Sequence, residues 1–415
     1  QASGIVFWWH AYRNEVGNET ESGICLITGK EEPLARIHKP KIKGVLGAQS
    51  AGASLVSFND DSYSSYGKSQ SYNAPVSVNA TKAYAQTLNA LTTGPMHHRH
   101  RIRLDNSTVV FWSERPTVTE SFFGEFLAAS DGPATDDEAT RQDLQAFLNS
   151  VRDGRCTHEP SGKDAKFFVL GLMPNASRLA VNLFFQSDVQ TLVEKLHEHH
   201  SHLRIEPWDR FPEFPPIWML LKETVRRGDS VSPVLEGPLL RAILTGGLYP
   251  RAWFQAVLRR LHAERAVTLL KCAAIRAYLT RNRKMEVPMS LSLESTSAAY
   301  RIGRLFAALE KTQDDALGNV NSGIRDRFYS SASATPGVVM PRLMRTYQHH
   351  LAKLVGGRKT NREKLVQEIL SPLDPLEGFP KRLTLEDQGL FALGYYHQRQ
   401  DFFTKRSPDS EGNPE

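Results

Sequence analysis

Residues Lys166 to Phe185 read KFFVLGLMPNASRLAVNLFF. Two apolar runs flank Pro174-Asn175, and Asp188 follows as the N-cap of a helix reaching His200. Strand, turn, strand, helix is a fragment compatible with a ferredoxin-like unit and sets the fold class as α+β. Downstream, past the Pro-rich stretch Pro207 to Pro216, the chain turns helical: Ala252 to Thr280, Thr296 to Leu317, Pro336 to Leu354 and Leu385 to Phe403 carry helical periodicity, and Pro288 interrupts. Upstream the pattern is mixed and β-rich. Ile5 to Trp9, Ile24 to Thr28 and Val109 to Ser113 read as strands, and Ser77 to Leu91 as a helix with Ala83, Leu88 and Leu91 on its apolar side. The polar, acidic run Gly132 to Glu138 precedes a helix bearing Leu144, Phe147, Leu148 and Val151, and a boundary is expected near Ala165. The expected organisation is a mixed β-rich domain over 1–130, an acidic linker and helix over 131–165, an α+β middle region with basic helices over 166–288, and a helical bundle over 289–415.

The 415 residues suit two or three domains, and no apolar run approaches the ~18 residues of a membrane-spanning helix. A membrane partner is therefore not expected. Cys25, Cys156 and Cys272 lie far apart with no CxxC, which argues against a disulfide framework or a thiolate zinc site and suits a reducing cytoplasm. The first residue is Gln1, so the expectation is a chain that begins inside a longer product.

Net charge is +6 and the pI is about 9.1, but the distribution is more telling. Between Pro33 and Leu104 nine bases face only Asp60 and Asp61; between Arg241 and Lys284 ten bases face only Glu264. The first cluster is interleaved with Tyr, Gln, Asn and Ser. Cations meet phosphates while amides and hydroxyls meet base edges, so nucleic acid is the indicated partner. The competing reading of each cluster is a solvated helix or strand face.

Motifs for other chemistry are missing: no GxxxxGK[ST], no HExxH, no GxSxG. His197 and His200, in His197-Glu198-His199-His200-Ser201-His202, could share a helix face and hold a divalent ion, but no second carboxylate cluster completes the set. No catalytic residue, metal ligand set or cofactor is assigned.

The polar segment after Gly44 is specific. Ile24-Cys25-Leu26-Ile27-Thr28-Gly29, Ala35-Arg36-Ile37-His38 and Ile42-Lys43-Gly44-Val45 lead into Gly47-Ala48-Gln49-Ser50-Ala51-Gly52-Ala53, Leu55-Val56-Ser57-Phe58-Asn59, Ser65-Tyr66-Gly67-Lys68-Ser69-Gln70 and Asn73-Ala74-Pro75-Val76-Ser77. With Gly171 to Leu179, Ile324 to Tyr329, Ala332 to Pro336 and Phe391 to Gln398, the chain resembles the large subunit of the type I-C CRISPR Cascade surveillance complex, a Csd-type protein. The resemblance implies a non-enzymatic subunit that recognises the protospacer-adjacent motif in duplex DNA, helps separate and stabilise its strands, and helps present the target to a helicase-nuclease. It implies as partners a crRNA-containing complex of repeat backbone subunits, a crRNA-end subunit and small subunits, and a cytoplasmic location. It also implies that the chain is missing much of its first domain and that the C-terminal part can be made separately, with Met285 or Met289 as candidate starts.

Three residue sets are expected to act. Gln49, Ser50, Asn59, Ser65, Tyr66, Gly67, Lys68, Gln70 and Asn73 would face the motif, the alternative being an internal polar network tying loops together. Lys39, Lys41, Lys43, Arg99, Arg101 and Arg103 would meet phosphates, because alternate spacing puts three cations on one side of an extended segment. Arg301, Arg304, Arg325, Arg327, Arg342 and Arg345 would hold the displaced strand, the alternative being ion pairs with acids such as Glu310 and Asp326. A metal-dependent nuclease using the histidine cluster and a general basic RNA-binding protein are the competing functions.

Overall fold

The computed structural model describes residues 21–127, 138–156, 162–208, 211–318, 322–373 and 378–403. The strand expected at Ile5 to Trp9 and the acidic run from 132 to 137 lie outside them. The chain forms two compact units: Gln1–Ser150 with Arg155–Leu192, and Val151–Gly154 with Val193–Glu415.

In the first unit β1 (Ser22–Ile24) and β2 (Glu31–Pro33) form a short antiparallel pair. Ile24 to Thr28 is thus a strand end and a turn: the Gly29 amide donates to the Cys25 carbonyl at 2.9 Å. Residues 34–77 are largely irregular, held by isolated bridges such as Ile42 with Ala53 and Ser54 with Arg178. Helix α1 (Val78–Thr93) starts at Ser77, whose hydroxyl accepts from the Ala80 amide at 3.2 Å. β3 (Arg101–Arg103) and β4 (Thr108–Ser113) follow, then α2 (Val118–Leu127) and α3 (Glu138–Asp153). The hairpin of β5 (Lys166–Asn175) and β6 (Arg178–Asp188) completes a four-stranded antiparallel sheet in the order β3-β4-β5-β6.

The α+β class holds, with the hairpin where the apolar runs placed it. Its turn is Ala176-Ser177 rather than Pro174-Asn175, since Asn175 pairs with Arg178 and Ala176 takes φ 52°. Consecutive strands are neighbours throughout this sheet, a meander rather than a split βαβ arrangement. The boundary expected near Ala165 is displaced because β5 pairs along its length with β4, with Phe111 opposite Val169. Behind that pairing Phe123 meets both Phe111 and Phe167 edge-on, at 4.9 Å between ring centroids in each case. Apolar burial therefore joins 166–188 to the residues before it.

Helix α4 (Val189–Leu203) leads into the second unit, which continues through α5 (Ile217–Lys222), α6 (Pro233–Thr245), α7 (Arg251–Glu264) and α8 (Leu269–Arg283). It ends with α9 (Ala298–Leu317), α10 (Ile324–Ala334), α11 (Pro336–Leu351), α12 (Gly357–Leu370) and α13 (Leu385–Phe403). The stretch expected as Ala252 to Thr280 is two helices, because Arg265 adopts φ 53° and Thr268 caps a new start. Residues 289–415 do not enclose their own core entirely. A Cβ on Gly389 of α13 would lie 3.0 Å from Ile275 of α8, and Arg283 of α8 bonds Glu386 at the head of α13. The helical core therefore includes α8, which is buried on nearly every face.

Protonation of the buried histidines opposes folding of this unit. His397, 1% exposed, has its Nδ1 2.9 Å from the Tyr300 hydroxyl, and burial pulls its pKa down to about 4. Burial likewise lowers His202 to about 4 and His200 to about 3. The unfolded chain takes up protons near 6.5 while the folded chain does not, so stability is full above that pH and is lost as pH falls toward 4. Calorimetry should show the thermal midpoint falling across that interval. His397 alone accounts for up to about 3 kcal/mol at its lower end, and His397→Gln should flatten the profile by that share.

Candidate nucleic-acid interface

Residues 36–43 run beside α1 at the edge of a small core formed by Ile42, Val45, Ala53, Leu88, Val110, Leu172 and Leu179. Two clamps fix the backbone there. The Ile42 amide donates to the Ala53 carbonyl and the Ala53 amide to the Ile42 carbonyl, both at 2.9 Å. Asn89 of α1 accepts from the Lys43 amide at 2.8 Å and donates to the Lys41 carbonyl at 3.0 Å. Gly52 permits this approach: its φ is 92°, and a Cβ there would lie 2.9 Å from that of Lys41.

With Ile42 turned inward, Lys39, Lys41 and Lys43 line one groove of about 570 Å³, together with Lys82 and Gln86 of α1. A neighbouring hollow of about 300 Å³ shares Lys39 and Lys82 and adds Arg36. None of these five cations has an ion-pair partner among the described residues. Lys82 and Gln86 were not singled out from sequence; their i, i+4 spacing on a helix is the signal that would have found them.

His38, 3% exposed, also lines the larger groove. Its Nδ1 stands 2.7 Å from the Tyr84 hydroxyl, and its Nε2 has no hydrogen-bond partner. Burial lowers the imidazole pKa and pushes Tyr84 up to about 12, so both groups are neutral near pH 7.

The motif-facing set divides. Gln49 and Ser50 are exposed on a turn closed by the Gly52 amide donating to the Gln49 carbonyl at 2.9 Å. Tyr66, 99% exposed with φ 51°, stands with Gly67 at the tip of a turn bridged by Ser65 and Lys68. Asn73 holds that turn from inside. Its Oδ1 accepts from the Ser65 amide at 3.0 Å and its Nδ2 donates to the carbonyls of Lys68 and Gln70 at 3.0 and 2.9 Å. The internal-network alternative therefore applies to Asn73, whose amide is spent on backbone and is not presented to bases. Asn59 bonds Arg178, whose guanidinium lies 4.9 Å from the centre of the Tyr63 ring. Gln70 has φ 49° and a buried Oε1 without a partner. Asn73→Ala should free the turn, and hydrogen exchange at residues 65–70 should quicken with little change elsewhere.

The second basic triplet is not a row of three like the first. Arg101 and Arg103 alternate about buried Ile102 on β3, but Arg101 bonds the Thr92 carbonyl near the end of α1, and Arg99 sits in the preceding 3₁₀ turn.

A family model described as CRISPR-associated protein (Cas_Csd1) matches residues 1–403. The chain belongs to that family. No curated protein matches it. Membership implies a place in a Cascade-like CRISPR complex, in line with the motif runs that carried the resemblance.

In the helical unit of this Csd1-family protein the expected displaced-strand set needs correction. Arg304 is 0% exposed and donates to Gln398 at 3.0 Å and Glu368 at 2.8 Å, while buried Arg301 donates to the Leu293 carbonyl at 3.0 Å. Neither has a face to offer a phosphate. Arg325 lies 3.8 Å from Glu310 and 3.9 Å from Asp326, the ion-pair alternative. Arg327, Arg342 and Arg345 are exposed. Of the ten bases in the run 241–284, Lys271, Arg276 and Arg281 are buried, while Arg241, Arg251, Arg259, Arg265, Arg283 and Lys284 are exposed. Lys271 pairs with Glu223 and Glu264, Arg276 donates to the Ser201 and His202 carbonyls, and Arg281 donates to the Ala242 carbonyl and covers Tyr249.

The histidine cluster of the same Csd1-family chain is dispersed in its bonding. His197 Nδ1 faces the Val151 carbonyl at 3.0 Å, His199 the Tyr249 hydroxyl at 2.7 Å, and His202 accepts from Arg281 at 3.2 Å. No three metal-ligating side chains converge among the described residues.

Proposed function

We propose that this Csd1-family chain is a non-catalytic DNA-reading subunit of a type I-C RNA-guided complex. The observation that carries this reading is the groove of Lys39, Lys41, Lys43 and Lys82, cationic and without carboxylate partners among the described residues, in the same unit as the exposed turn of Ser65 to Lys68. Lysines along a groove position a phosphate backbone, whereas an exposed aromatic and amides such as Gln49 address bases. The division suits a system in which protein reads a short duplex tag and guide pairing reads the rest. The flanking motif is the protospacer-adjacent motif, and the partners are the crRNA-bearing complex, its backbone, crRNA-end and small subunits, and a helicase-nuclease. Arg327, Arg342 and Arg345 then serve the displaced strand.

The test is duplex binding by the assembled complex, with the flanking sequence randomised. Affinity should depend on a few flanking base pairs, and Gln49→Ala should weaken it by ~1–3 kcal/mol while assembly persists. Affinity indifferent to flanking sequence would support the general RNA-binding alternative instead. Reversing charge at Arg342 and Arg345 should raise nuclease sensitivity of the displaced strand; unchanged protection would remove them from that role.

A further inference from the structure

We propose that the groove beside α1 is a seat for a phosphate group, held by a hydrogen bond from His38 Nε2 as well as by the surrounding lysines. His38 is 3% exposed and lines the groove that holds Lys39, Lys41, Lys43 and Lys82, and its Nε2 is the buried polar atom there with no partner. A buried polar group without a partner is costly, and a neutral imidazole has one donor and one acceptor nitrogen. When Tyr84 donates to Nδ1, the proton resides on Nε2, which becomes a donor requiring an acceptor. The groove around it is cationic and selects an anion. Phosphate oxygens accept both from lysine ammonium groups and from an N–H, and Arg36 extends the same row of cations along the neighbouring hollow, as successive phosphates of a polyanion require.

His38 thereby adds geometry to charge. Lysines attract any polyanion along their reach, whereas a buried N–H fixes one phosphate at one place and so fixes the register of what is bound. The source of that phosphate, a nucleic-acid backbone, rests on the function proposed above; the seat itself does not.

Two probes separate the two claims: sodium tripolyphosphate and a duplex DNA oligonucleotide, each titrated calorimetrically into the full chain. His38→Asn removes a donor at the Nε2 position, while His38→Gln places an amide near it. Tripolyphosphate should bind about tenfold more weakly to His38→Asn and near normally to His38→Gln. Tyr84→Phe, which keeps the ring but withdraws the donor to Nδ1, should cost roughly threefold and serves if His38→Asn unfolds by circular dichroism. Equal tripolyphosphate binding by wild type, His38→Asn and Tyr84→Phe overturns the seat, even where duplex still binds through the lysines. His38-dependent tripolyphosphate binding without duplex binding upholds the seat and refutes the nucleic-acid source.

Discussion

Gly303→Ala should lower the thermal midpoint of the helical unit by about 6–12 °C. Helices α9 and α13 touch through their backbones: a Cβ on Gly303 would lie 2.0 Å from the Phe391 carbonyl oxygen, and one on Gly394 would lie 2.0 Å from that of Tyr300. A side chain tip can swing aside, but a helix carbonyl cannot, so a methyl group must push the two helices apart. That movement opens the cluster in which Phe306 meets Phe391 at 5.7 Å and Tyr395 at 5.9 Å, and Tyr329 meets the same two rings at 5.5 and 5.4 Å. Overpacking of this kind costs about 3 kcal/mol, which gives the midpoint shift above for a unit of this size. Gly357, where a Cβ would meet nothing within 4 Å, supplies the control: Gly357→Ala should leave the midpoint within about 2 °C. Equal midpoints for the two variants, measured by circular dichroism, would mean that α9 and α13 do not meet as described.

Replacing Lys39, Lys41 and Lys43 together by Ala should flatten the salt dependence of duplex binding. Each neutralised phosphate contributes ~0.9 to the slope of log K against log salt, so the slope should fall by about 2.7. At low salt the affinity loss should be on the order of 10²–10³. The three ammonium groups share one groove, and their backbone is pinned through Asn89 and Ala53, so the loss is of charge at a defined place. Arg101→Ala is the informative comparison. Its guanidinium is engaged by the Thr92 carbonyl, and the slope should move by much less than one. An unchanged slope in the triple variant would remove the groove from the interface.

How these sites stood in the sequence depended on the range of the interactions that make them. Alternation of Lys39, Lys41 and Lys43 about an apolar Ile42 is a local pattern, and it correctly placed the three lysines on one side. The i, i+4 pair Lys82 and Gln86 is equally local, but on a helix surface such spacing is common to solvated and binding faces alike. His38 stands in one of the motif runs, but nothing local gives it a chemical role: what distinguishes it is Tyr84, forty-six positions away. For Asn73 the sequence leaves base contact and an internal network both open, because an amide's donors and acceptors look the same whether they face DNA or three backbone groups of their own loop. For Arg304 and Arg301 the sequence leaves strand contact and internal pairing both open; Glu368 and Gln398, which accept from the first, lie sixty-four and ninety-four residues on.

The α+β class, the hairpin of 166–188, the long helices after 250 and, through the motif runs, the Csd1 family are all legible in the order of residues. Each of these follows from periodicity, caps and turns within a few residues, or from side chains kept in a recognisable order. Long-range contacts alone establish that the hairpin joins β4 rather than opening a new domain, that α8 completes the C-terminal core, and which arginines are spent on amides, carboxylates and carbonyls of the same chain. Pairing of strands, filling of a core and partnering of a buried charge are made between residues dozens of positions apart. Such bonds leave no local trace, because the residue that needs a partner is the same whether that partner is water, another helix or a phosphate.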